Sequence, residues 1–154
     1  MQLDVAIANE GDVAILLSRV TRLLGNAGLN PVDVCGIVTV CAELAHNIVR
    51  YGKYGALQVR VEEDRRGRRI VVEARDHGPG IADVAAALRD HFSTGDSLGL
   101  GLPGVRRLMD TLEIQSGSGC GTLVIATRNL GRPRWPSQHF PAADDGGFQS
   151  RRQP

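Results

Sequence analysis

Asp76-His-Gly-Pro-Gly-Ile81 and Gly99-Leu-Gly-Leu-Pro-Gly-Val105 are the two pieces of the stretch on which the reading of this chain turns. The first closes an apolar run with a carboxylate and then two glycines. The second is a glycine-rich turn feeding a helix that the pattern starts near Pro103, a residue suited to a first helical turn because its missing N–H costs nothing there. Glycine lets a backbone approach a ligand closely and take positive φ. A glycine turn that runs into a helix N-terminus presents free N–H groups and favours an anion. Small and polar residues lie between the pieces, among them Ser93, Thr94, Gly95, Asp96 and Ser97. The stretch reads as one side of a nucleotide pocket, with Asp76 at the base end and Gly99, Leu100 and Gly101 at the phosphate end.

Residues 99–104 also spell G-x-G-x-x-G. A dinucleotide fingerprint must follow a strand and needs an acidic residue on a second strand about 20 residues on. Residues 93–98 have no strand pattern and the window 120–128 holds no carboxylate, so that reading fails. No G-K-[ST] occurs, which removes a Walker A loop.

The rest of the chain supplies one domain around this stretch. Its 154 residues suffice for a single core, and 42% hydrophobic with 23% charged residues is ordinary for a globular protein. A net charge of +1 gives no global field for nucleic acid or a membrane surface, so neither is expected as a partner. No uninterrupted apolar run approaches a membrane span and Met1-Gln-Leu-Asp4 lacks a basic leader region, so the expected location is cytoplasmic. Cys35, Cys41 and Cys120 form no C-x-x-C, and the four histidines do not cluster; no His/Cys metal site is expected.

In chain order, residues 2–8 alternate as a strand. Asp12 is a candidate N-cap for a helix bearing Val13, Leu16, Leu17, Val20, Leu23 and Leu24, ended by Gly25 and Gly28. Asn30-Pro31 opens a second helix with an apolar stripe of Val34, Ile37, Val38, Cys41, Leu44, Ala45 and Ile48. Glu43, Asn47 and Arg50 form a polar stripe beside it, at i, i+4 and i+7. That stripe is either a solvated face or part of the pocket. A nucleotide triphosphate needs a divalent cation, Mg²⁺ wants hard oxygen ligands, and an Asn carbonyl one turn from a carboxylate supplies a ligand and a proton acceptor together. Residues 57–62 and 68–76 read as a hairpin with a charged tip, 82–89 as a short helix, 91–98 as a lid-like loop, 103–110 as a helix, and 112–114 and 121–127 as strands. From Gly131 four prolines, three glycines and few aliphatic residues predict a disordered tail carrying Trp135, Phe140 and Phe148. The expected domain is therefore 1–130, with a tail over 131–154. Its fold is an α/β (α+β) two-layer sandwich: a mixed, mainly antiparallel sheet with helices on one face.

Glu43-Leu-Ala-His-Asn47 resembles the N box of the GHKL ATP-binding fold shared by gyrase, Hsp90, histidine kinases and MutL. Residues 76–81 resemble its G1 box, Gly99-Leu-Gly-Leu102 its G2 box, and Gly121-Thr122 its late-strand motif, all in the family's order. Within that family, residues 99–110 are most similar to the anti-sigma-factor serine/threonine kinases, of the stressosome switch-kinase type. The resemblance covers roughly residues 1–128. It implies ATP and Mg²⁺ as cofactors, with Asn47 on the metal and Glu43 as general base. It places Asp76 on the adenine amino group with Thr122 nearby, and Gly78, Gly80 and Ile81 along the base and ribose. Gly99, Leu100, Gly101 and Leu102 fall at the phosphates. Arg50 and Lys53 are the nearest cations in sequence, either at a phosphate or in solvent. One departure is the absence of Lys or Arg between Phe92 and Leu102, where some relatives place a cation. Another is His46 inside the N box, read as a packing or rim residue.

Three functions are compatible with this reading. The first is a protein serine/threonine kinase that phosphorylates a STAS-domain antagonist protein and, once free, activates a PP2C-type phosphatase. The second is a nucleotide-gated module that sequesters a partner without phosphoryl transfer. The third, a detached histidine-kinase catalytic domain, is disfavoured because no histidine precedes Pro31. Glu43 separates the first two, since a pure binder has no need of a carboxylate beside the metal ligand.

Overall fold

A computed structural model describes residues 1–65, 67–89 and 101–131. The lid expected over 91–98, Gly99, Leu100 and the tail aromatics lie outside the described residues. Five strands, β1 (Gln2–Ile7), β2 (Gly55–Asp64), β3 (Gly67–Asp76), β4 (Thr111–Ser116) and β5 (Thr122–Asn129), form one sheet in the order β1-β2-β3-β5-β4. Every pairing among them is antiparallel. The helices are α1 (Glu10–Asn26), α2 (Pro31–Tyr51), α3 (Val84–Ala87) and α4 (Gly101–Leu108). The expected helix-on-sheet sandwich is the fold observed.

Strand alternation decides which face the helices cover. Leu3, Val5, Ile7, Leu57, Val59, Ile70, Val72, Ala74, Val124 and Ala126 are buried and join one core with α1, α2 and α4. On the other face Arg60 pairs with Glu62 and Glu73, and Arg69 with Glu62. The hydrogen bond from Arg69 holds the Glu62 carboxyl below its ordinary range. The hairpin-tip arginines Arg68 and Arg69 are thus part of a charged sheet face and its edge: Arg68 pairs with Glu63 and also donates to the Ala27 carbonyl.

Three local details differ from the sequence expectation. The α1 N-cap is Asn9, not Asp12. Asn9 Oδ1 accepts from the Asp12 amide at 3.2 Å, and Asp12 Oδ2 accepts from the Asn9 amide at 3.2 Å, a reciprocal box that satisfies two end donors. Gly25 lies inside α1, and the chain turns at Ala27 and Gly28, whose φ is +71°. Helix α4 begins at Gly101 rather than Pro103, because the amides of a first turn have no intrahelical partner and Pro is tolerated throughout it.

The centre of the fold is α2. Asn30 and Pro31 start it as expected, and Gly52 caps it. Its apolar stripe is wider than expected: all six residues of 40–45 are buried, because α1 and α4 flank the helix while the sheet lies beneath it. By length and mean hydropathy α2 resembles a bilayer-spanning helix, yet in the fold it is the core helix. Burial pushes the Cys41 thiol up to about 12. Only a thiolate alkylates readily, so iodoacetamide at pH 8 should label the exposed Cys35 and Cys120 and spare Cys41 until denaturant is added. Peptide mass mapping of labelled native and unfolded protein checks this, and equal labelling of all three in the native state would contradict the packing described.

Candidate nucleotide site

Two ends of one site hang from α2. At the first end, Asp76 finishes β3 and Thr122 begins β5, one step beyond the Arg75–Leu123 pair, so both side chains fall on the helix-covered face. Asp76 Oδ1 accepts from the Gly78 amide at 2.8 Å and from the Thr122 amide at 3.2 Å. Both bonds use one oxygen, which leaves Oδ2 as the acceptor for anything entering. The Asp76 side chain lies over the C-cap of α2: a Cβ built on Gly52 would stand 2.5 Å from Asp76 Cβ. Tyr54 and His77 stack at the rim with ring centroids 4.7 Å apart.

The G1-type glycines sit in close backbone packing. A Cβ on Gly78 would meet the Tyr51 carbonyl oxygen at 2.4 Å, and one on Gly80, whose φ is +81°, would meet the Gly117 carbonyl oxygen at 2.2 Å. The sequence expectation had them make room for base and ribose. In the fold they let residues 76–81 lie backbone-to-backbone against the end of α2 and the 117–121 turn. Gly121 does the same from the other side, with φ +74° and a virtual Cβ 2.1 Å from the Asp76 carbonyl oxygen.

Ser116 is the residue that the sequence reading missed. Its Oγ accepts from the Ile81 amide at 2.7 Å, donates to the Gly121 carbonyl at 3.0 Å and lies 3.0 Å from Thr122 Oγ1. The signal was present: a turn over 117–121 between two strands makes Ser116 the cross-strand partner of Thr122. Ile81 reaches the site through this amide, and its side chain packs against the core.

At the second end, Glu43 is the sole buried charged side chain among the described residues, at 4% exposure. Its Oε2 accepts from the Gly101 amide at 3.1 Å, across 58 residues of sequence. An anion held on the first amide of α4 matches the positive end of that helix. Gly101 has φ +51°, a conformation that glycine supplies without strain. The Gly101 amide, expected free for a phosphate, is here engaged by the carboxylate. Leu102 joins the core.

Asn47 stands one helical turn from Glu43, half-buried, with no side-chain hydrogen bond to any described residue. That leaves its carbonyl oxygen available to a hard cation, with water and phosphate completing the shell. The described residues hold no cluster of three His, Cys, Asp or Glu that would form a closed metal cage. A single Asn oxygen in an open setting fits Mg²⁺, which keeps several waters. Arg50, in the last turn of α2, and Lys53, beyond it, are exposed. His46 Nε2 lies 3.1 Å from Glu10, tying α2 to the first turn of α1, so it is the packing and rim residue expected.

The model of the histidine kinase-like ATPase domain matches residues 7–128. The chain belongs to that family. Serine/threonine-protein kinase RsbT of Bacillus subtilis is 36% identical over 126 residues, covering 82% of this chain and 95% of that protein. An anti-sigma F factor of Thermoanaerobacter sp. is 31% identical over 105 residues, covering 64% of this chain and 72% of that protein. Among solved structures, the RsbU and RsbW domains of Rv1364c from Mycobacterium tuberculosis superpose with TM-score 0.62 at 19% identity, over 86% of this chain and 33% of that one. That likeness speaks to the fold, a histidine kinase-like ATPase sandwich.

The backbone packing around Asp76 predicts unequal glycine tolerance. Gly121→Ala adds a methyl where a carbonyl stands, at a φ that alanine resists, and should cost more than about 2 kcal/mol. Gly25→Ala, inside α1 with nothing within 4 Å, should add about 0.5–1 kcal/mol. Urea denaturation of both variants measures the difference, and a neutral Gly121→Ala would contradict the contact.

Proposed function

We propose that this chain is a Mg-ATP-dependent protein serine/threonine kinase of a partner-switching pathway. Its expected substrate is a STAS-domain antagonist protein, and in its freed form it binds and activates a PP2C-type phosphatase. The observation that carries the reading is Glu43: a buried carboxylate, on the same helix face as Asn47, held at the glycine-led N-terminus of α4. The 36% identity with a serine/threonine-protein kinase supports the same class.

In this reading ATP lies along α2, its adenine amino group on Asp76 Oδ2 beside Thr122 and its phosphates toward α4. The contacts at Gly52 and Glu43 are nine residues apart, about 13 Å of helix, which leaves room for base and phosphates in line. Asn47 would hold Mg²⁺, which when bound neutralises phosphate charge. Gly99, Leu100 and Gly101 would donate backbone amides to the phosphates, with Arg50 at the margin. Glu43 would take the proton from the serine or threonine hydroxyl as its oxygen attacks the γ-phosphorus and ADP leaves. Phosphoryl transfer is chiefly positioning and charge neutralisation, so these few groups suffice. A phosphate at the Gly101 amide competes with the carboxylate now bonded there, so nucleotide entry frees the base.

A second reading, a nucleotide-gated module that sequesters its partner, is favoured by one observation. Glu43 is engaged by an amide rather than open to a substrate hydroxyl.

Calorimetry tests the pocket first. The chain should bind ATP with Mg²⁺ and far more weakly without it, and Asp76→Asn should weaken binding by at least about tenfold. Unchanged affinity in Asp76→Asn would sink the pocket assignment. Glu43→Gln separates the two readings. It should hold ATP at least as tightly as the parent, having lost an anion beside the phosphates, while phosphoryl transfer to an antagonist protein falls by about 10²-fold or more. Equal transfer by mutant and parent would remove Glu43 as the base.

A further inference from the structure

Lys53 is the chain's only lysine. Among the described residues it is also the only non-glycine at positive φ, at +62°. The Tyr54 amide donates to the Gly52 carbonyl at 2.7 Å and closes a three-residue turn around it, a form that a Cβ resists. Glycine would adopt this turn without strain, so the backbone is not what calls for lysine here. The Lys53 side chain is exposed and pairs with no described carboxylate. Tyr51 and Tyr54 stand on either side of it in sequence, 60% and 56% exposed. The other large apolar side chains left in solvent, Met1, Ile15 and Val32, stand singly elsewhere in the chain. Only at this turn do two such rings come together around a cation, and His77 stacks on Tyr54 to widen the patch. The patch adjoins Asp76 through Gly52 and Gly78.

A cation set among aromatic rings fits an acidic segment with aromatic flanks. Beyond Gly131 the sequence holds one, Phe140-Pro-Ala-Ala-Asp-Asp-Gly-Gly-Phe148, outside the matched domain of residues 7–128. Asp144 and Asp145 are the only acidic side chains after Gly131. We propose that the rim formed by Tyr51, Lys53, Tyr54 and His77 is the docking surface for residues 140–148 of the same chain, with an aspartate on Lys53 and the phenylalanine rings on the tyrosines. The span is sufficient. Gly131 is fixed where its carbonyl accepts from the Arg68 amide at 3.0 Å. From Arg68 to Asp76 the strand β3 covers about 26 Å. The stretch from Gly131 to Phe140 extends to about 30 Å. A segment seated on the rim borders Asp76 and competes with a nucleotide there. That competition rests on the nucleotide reading above, whereas the docking does not.

The single lysine makes the test selective. A water-soluble carbodiimide joins a carboxylate to an amine in contact with it, without a spacer, and the full chain offers only Lys53 and the N-terminus as amines. Peptide mass mapping should find an amide between Lys53 and Asp144 or Asp145 in chains of monomer mass. Phe140→Ala with Phe148→Ala keeps both carboxylates, touches no described residue, and should lower the yield by about tenfold. No such link overturns the docking. So does a yield unmoved by the double substitution, which chance encounters of a tethered chain would give. A link found only between two chains, at dimer mass, overturns it in favour of a second copy's segment. Adding Mg-ATP should lower the yield as the nucleotide displaces the segment. A yield that Mg-ATP leaves unchanged, in a chain that calorimetry shows to bind ATP, overturns the competition. Should the chain bind no ATP, the nucleotide reading fails, and the Lys53 link still decides the docking.

Discussion

Asp76 Oδ1 receives two backbone amides from different segments, and the geometry of the base end depends on that one oxygen. The Gly78 amide folds the loop after β3 back on itself. The Thr122 amide draws in the start of β5. Charge-assisted bonds of this kind are among the stronger ones available to a folded chain, and here they converge where the backbone has no room for side chains. Gly52, Gly78, Gly80 and Gly121 each abut a neighbouring segment so closely that a methyl would collide with it. The carboxylate therefore organises a backbone junction as well as offering its second oxygen outward. Loss of Asp76 would disturb both, which is why a binding measurement must be read beside a melting curve.

Helix α2 carries the constraint to the other end. It is buried on nearly all sides between residues 40 and 45, so it has little freedom to rotate or slide. Its C-cap touches Asp76 and its middle presents Glu43 to α4. Groups separated by nine residues are thus held at fixed distance on one rod. In contrast, α4 is a helix of eight residues whose upstream neighbours lie outside the described residues, and Glu43 holds its first amide. The rigid half of the site comes from local helix chemistry; α4 is held by the core through Leu102 and Val105, and its first amide by a long-range hydrogen bond to Glu43.

The parts of this arrangement legible in the sequence are those set by local periodicity. Glu43 and Asn47 lie one turn apart on any helix, and the Asn30-Pro31 start signals where that helix begins. The hairpin from 55 to 76 follows from alternation, and its end places Asp76 on the inner face. The cap of α1 was misread because Asn9 and Asp12 are both good caps, and only the backbone shows which is extended and which is in the first turn. The Glu43–Gly101 bond was illegible, because it joins segments 58 residues apart and neither residue type demands it. The glycines of 76–81 stand out in the sequence, but their close packing against Tyr51, Gly52 and Gly117 does not, since sequence does not reveal which backbone approaches which. Ser116 was overlooked because a serine at the end of a strand is unremarkable until its cross-strand partner is counted out.

The two ends differ in how they accept a ligand. At the base end Asp76 Oδ1 and Ser116 Oγ already hold backbone amides; such a site is preorganised and asks a ligand only to match it. At α4 the Gly101 amide is already satisfied by a carboxylate of the protein's own. A phosphate must take that amide from a buried carboxylate, and the carboxylate must then find another proton donor or remain unpaired in a poorly solvated place. A substrate hydroxyl is such a donor. In the proposed kinase, the exchange that admits the phosphate would thus create the demand for the second substrate. A single hydrogen bond would then couple nucleotide occupancy to the readiness of Glu43.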